Sequence, residues 1–204
     1  LGLGVVERGD GWAMLAVGAE HLLLCEPQLD PRGGVHVHYA LSITPDSYED
    51  WLARVEAVGP VHEVDFGGFR SLYVFDPDDH CVELATAAPA NVEAEAGGTF
   101  EVVLEVRDLA QTEARYRALG ATVTGRGEDR RRLRLDAGAI DLELWEPQLG
   151  IADGRGGLHV TMAGRTADLR GMEEAARSSM AEVEAIDPNE GLRRACAFGT
   201  RTGT

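Results

Sequence analysis

Two short stretches of this chain put imidazole and carboxylate groups where they could share a metal ion. In "VHVHYALSI", Val35 to Ile43, strand alternation sets His36, His38, Ala40 and Ser42 on one face. Val35, Val37, Tyr39, Leu41 and Ile43 take the other, an apolar face suited to packing on helices. In "HCVELA", from His80, the same rule sets Cys81, Glu83 and Ala85 opposite Val82 and Leu84. Neutral imidazole with carboxylate suits Zn, Fe, Mn, Ni or Co, and spacing alone does not choose among them. The bland alternative is a polar wall, which a single strand histidine more often forms than a ligand set. No nucleophile motif competes: the chain has no Gly-x-Ser-x-Gly, and no cysteine sits in a catalytic setting. The Gly33–Gly34 and Gly156–Gly157 pairs lead into strands rather than helices, so they are not phosphate loops.

The elements that must position these residues follow one order. From Val35 come a strand, the helical "DSYEDWLARVEAVG" and the strands "HEVDF", "FRSLYVFD" and "HCVELAT". Trp51 falls on that helix with Leu52 and Val55 and is expected in the core. From Phe100 the same βαβββ order returns. "FEVVLEV" alternates as a strand, and Asp108 caps "LAQTEARYRALG", which Gly120 ends. "ATVTGRG", "RRLRLDAG" and "IDLELWEP" complete it. The run "RRRLR", Arg130 to Arg134, reads as a solvated strand edge.

A near-repeat ties the halves together. "EPQLDPRGGVHVHYAL" begins at Glu26 and "EPQLGIADGRGGLHVTMA" at Glu146, which predicts an internal duplication. Residues 1–88 are read as a first domain, a truncated module followed by a complete one. Residues 89–98 are a linker of small and polar residues. Residues 99–204 are a second domain, a complete module followed by a truncated one.

Composition removes several function classes. A net charge of −16, from 35 acids against 19 bases, is the wrong sign for a nucleic-acid partner. No apolar run approaches the roughly 20 residues that span a bilayer. The opening "LGLGVVERGDG" does not read as a signal peptide. Cys25, Cys81 and Cys196, with no Cys-x-x-Cys pair, are expected as reduced thiols in a cytoplasmic protein.

The βαβββ order, with "HYALSI", "FRSLYVFDPDDHCVEL", "VVLEVRDLAQTEARYRALG" and "LELWEP", resembles the vicinal oxygen chelate superfamily of glyoxalases, bleomycin-resistance proteins and extradiol dioxygenases. The resemblance implies an α+β fold in which tandem βαβββ modules form cupped mixed sheets. It implies a divalent metal in the cup (Zn, Fe, Ni or Mn) or, in a non-catalytic binder, none. The family pattern His-x-Ala-x-x-[Val/Ile] selects His38, whereas the internal repeat selects His36, the counterpart of His159. The resemblance makes Glu83 an expected metal ligand and the candidate catalytic carboxylate, and the first copy shows no third ligand. Glu101, Glu143 and His159 match ligand positions of a second site, although family members often have histidine where Glu101 stands. Tyr73, Phe75 and Trp145 are expected to line a substrate cup.

The implied function is a divalent-metal-dependent lyase or isomerase acting on a small oxygenated metabolite, with a dioxygenase less expected. The alternative is a small-molecule or antibiotic-binding resistance protein with a degenerate metal site. A small-molecule ligand is the expected partner, a homodimer is an expected assembly, and neither nucleic acid nor membrane is.

Overall fold

The structure, a computed structural model, describes residues 1–26, 37–78, 80–86, 96–128, 131–138, 140–146, 162 and 167–179. The chain divides into two compact units. The first comprises Leu1–Glu26 and Gly34–Val102, the second Pro27–Gly33 and Val103–Thr204.

The first unit opens with β1 (Val5–Gly9), β2 (Trp12–Val17) and β3 (Glu20–Cys25), a three-stranded antiparallel sheet. There follow β4 (His38–Ile43), a 3-10 turn, α1 (Tyr48–Glu56), β5 (Val61–Asp65), β6 (Arg70–Phe75) and β7 (Cys81–Ala85). This is the βαβββ order expected from the sequence. β8 (Ala96–Glu105) begins inside the stretch read as a linker and crosses the boundary between the units. The sheet order in the first unit is β5-β6-β7-β4-β8. β4 and β7 run parallel, with His38 opposite Cys81 and Ala40 opposite Glu83. β6 and β7 run antiparallel, with Tyr73 opposite Glu83.

Alternation decides what each face does. Leu41, Ile43, Leu72, Val74, Val82 and Leu84 form one face and pack on Tyr48, Trp51 and Val55 of α1. Val17 of β2 joins this core. The residues between them (His38, Ala40, Ser42, Ser71, Tyr73, Cys81, Glu83, Ala85) point the other way, yet all are buried. A polar set is thus enclosed on the face away from α1, and enclosure is tolerated only where polar groups find partners.

The second unit continues from β8 into α2 (Leu109–Ala118), β9 (Thr122–Arg126), β10 (Arg132–Asp136), β11 (Asp141–Trp145) and α3 (Leu169–Ser179). Asp108 caps α2 as the sequence predicts, its carboxylate accepting from the Gln111 amide at 2.8 Å. Gly120 ends the helix at φ 101°, a conformation that favours glycine. β9, β10 and β11 form antiparallel pairs. Leu133, Leu135, Leu142 and Leu144 are buried on one face, and Arg134 stands opposite Glu143 on the other.

One expectation needs correcting. Cys25 is disulfide-bonded, so the chain does not carry three reduced thiols. Local spacing gave no sign of this, because a disulfide needs only spatial closeness, not a short loop. Cys81 is free and buried, and burial, reinforced by Glu83, pushes its thiol up to about 12. Cys81 is therefore expected not to react with a thiol reagent at pH 8 until the protein is unfolded. Rapid labelling of the native state would contradict its enclosure.

Candidate metal centre

Three adjacent strands bring together one imidazole and two carboxylates. Glu83 comes from β7, His38 from the middle strand β4, and Glu101 from β8. These residues are 4, 4 and 5% exposed, and one ligand atom from each lies within 4.8 Å of the other two. It is the only such group of three or more among the described residues. His38 Nε2 stands 3.2 Å from Glu83 Oε2. On the far side, Ser71 Oγ of β6 donates to Glu83 Oε1 at 2.6 Å. The Tyr73 ring meets His38 edge-on with centroids 5.9 Å apart.

Electrostatics follow from this enclosure. Burial alone would raise the Glu83 carboxyl, but hydrogen bonds from His38 and Ser71 and the closeness of the imidazole outweigh it and hold the group below its ordinary value of 4.5. The Tyr73 phenol is pushed far up, first by burial and then by Glu83, with Glu101 adding to the effect. Tyr73 therefore stays protonated and can only donate to a carboxylate.

The sign of the pH effect is set by Glu83. Its folded-state value lies below the unfolded one, so its contribution to stability is present at neutral pH and fades as pH falls below 4.5. The metal-free Glu83→Gln variant is expected to lose stability less steeply with acid in this range. Parallel urea midpoints across the acid range for the two proteins would refute that.

The donor set fits a divalent ion. Zinc–nitrogen and zinc–oxygen bonds of about 2.0–2.2 Å put neighbouring donors around one ion roughly 3–3.5 Å apart. The His38–Glu83 pair already has this spacing, at 3.2 Å. Two buried carboxylates beside one imidazole also concentrate negative charge, which a divalent cation would offset.

The structure sorts the sequence candidates. His38 and Glu83 meet as predicted from alternation. His36 and His159 lie outside the described residues. Glu101 stands with His38 and Glu83, supplying the third donor that the sequence reading had not found for the first copy. Glu143, in the second unit, has its carboxylate taken up. Oε1 accepts from Arg134 Nε at 2.9 Å, and Oε2 accepts from Trp145 Nε1 at 2.8 Å. Trp145 is buried, and the Arg132 guanidinium lies over its ring at 5.8 Å. Tyr73 lies at the site itself, while Phe75 is 39% exposed. His80 serves a turn, its Nδ1 lying 2.9 Å from Asp76 Oδ2. Ser71 was missed, although its alternation with Tyr73 in "FRSLYVFD" placed it on the right face.

Two solved structures share this architecture. A "putative dioxygenase" from Bacillus subtilis aligns with a TM-score of 0.54 at 18% identity, over 74% of this chain and 57% of that one. Glyoxalase I from Zea mays aligns with a TM-score of 0.51 at 19% identity, over 70% of this chain and 58% of that one. The chain thus spans less than two thirds of the length of either. No protein-family model and no curated protein matches its sequence. The chain has the α+β fold of these glyoxalase and dioxygenase structures. A fold of this kind hosts unrelated chemistries, so function must be argued from the site.

Proposed function

We propose that this chain builds a divalent-metal centre for a lyase or isomerase acting on a small oxygenated metabolite. The observation that carries the reading is the buried convergence of His38, Glu83 and Glu101 from three neighbouring strands. His38, Glu83 and Glu101 would hold the metal. When bound, the ion would supply Lewis acidity to neighbouring oxygens of a substrate. Ser71 orients Glu83, and the enclosure of all three donors keeps water from competing for them. One imidazole with two carboxylates departs from the two-histidine, one-carboxylate triad of non-haem iron oxygenases, which weighs against a dioxygenase.

The second reading is a non-catalytic binder of a small molecule or antibiotic. It is favoured by the fact that His38 and Ser71 each engage one oxygen of Glu83. Elemental analysis after loading decides between them. Near-stoichiometric Zn, Fe, Ni or Mn that is lost in His38→Ala supports the metal centre. A wild-type protein that takes up no metal at saturating concentration rejects it in favour of the binder.

A homodimer and a cytoplasmic location are further parts of the proposal. Light scattering of the purified chain checks the first. Among the described residues no helix is long and apolar enough to cross a membrane.

A further inference from the structure

We propose that Ser71 restricts Glu83 to one-oxygen coordination from the His38 side, and so biases the centre toward transition metals and away from calcium. This rests on the metal-centre reading above and adds to it a positioning residue and a selectivity.

The argument comes from strand order. In the run β6-β7-β4-β8, Ser71, Glu83, His38 and Glu101 come one from each strand, with Ser71 and His38 diagonal to Glu83 rather than directly opposite it. Glu83 is stretched between its two neighbours. Oε1 is drawn toward β6 by the Ser71 hydroxyl at 2.6 Å, and Oε2 faces β4, 3.2 Å from His38 Nε2. An ion held by His38 and Glu101 would find Oε2, the Glu83 oxygen that faces His38, nearer than Oε1. To bind through both oxygens, the carboxylate would have to turn Oε1 away from Ser71 and break a short bond. Ser71 is itself fully buried at 0% exposed, so water does not replace that bond readily. Calcium takes six to eight oxygen donors and often both oxygens of a carboxylate, whereas zinc is satisfied by four donors that include imidazole nitrogen. A carboxylate held to one oxygen, beside an imidazole, therefore suits the smaller coordination number. Neither Ser71 nor its bond lies in the metal's own shell, so its effect runs through Glu83.

The test uses the full chain and the metals alone. Zinc affinity is measured by competition with a chromophoric chelator, calcium affinity by titration calorimetry, and donor geometry by the visible spectrum of the cobalt(II)-loaded protein. Ser71→Ala is expected to lose about 10–100-fold in zinc affinity, the range typical of outer-shell partners, without a matching loss for calcium. Its cobalt bands should weaken as an additional carboxylate oxygen enters. Ser71→Thr, which keeps the hydroxyl, should stay near the wild-type selectivity. If Ser71→Ala does not fold, Ser71→Cys, similar in size and a weaker donor, carries the same comparison. An unchanged zinc-to-calcium ratio and an unchanged cobalt spectrum overturn the role of Ser71 while leaving the metal centre intact. Failure of the wild-type protein to bind zinc or cobalt at all overturns both.

Discussion

Glu101→Gln is expected to cost the protein its metal, while Glu143→Gln leaves metal affinity unchanged. The first change keeps the size of the side chain but removes one of the two buried charges facing His38. Outer-shell changes in metal sites cost about 10–100-fold in affinity, and loss of a direct anionic ligand should exceed that. The second change alters a carboxylate whose oxygens are taken by Arg134 and Trp145, in the second unit. Zinc competition titrations on the two variants measure the difference. Equal losses in both would show that the assignment of Glu101 to the His38–Glu83 group is wrong. So would a Glu101→Gln protein that still binds zinc like wild type.

Trp51→Ala should destabilise the first unit by about 3–5 kcal/mol, the usual range for deleting a large buried aromatic. Trp51 is 2% exposed on α1 and lies in the cluster formed by Leu41, Ile43, Leu72, Val82 and Leu84. Those residues alternate along the same strands that present His38, Ser71 and Glu83 on the opposite face. Loosening one face therefore also loosens the donors. With total stability of order 5–15 kcal/mol, such a loss consumes a large part of the margin. Urea unfolding combined with hydrogen exchange at β4 and α1 reads the effect in the unit concerned. A loss under about 1 kcal/mol, the size of an ordinary surface or mild substitution, would mean that α1 is not seated as described.

The sequence by itself determined the local order of this protein. Period-two alternation in "VHVHYALSI" and "HCVELA" separated His38 and Glu83 from Leu41, Ile43, Val82 and Leu84, and the structure keeps that separation. Helical spacing and the Asp108 cap located α2, because both signals act within a few residues. Tertiary structure alone decided which polar groups meet. β8 lies beside β4, so Glu101 joins His38, and no local period encodes strand neighbours so far apart in the chain. Glu143 matched a ligand position, yet Arg134 across the β10–β11 pair and Trp145 claimed its oxygens. Ser71 and the bond formed by Cys25 escaped for the same reason. Alternation tells which face a side chain takes, whereas its partners on that face are set by long-range packing.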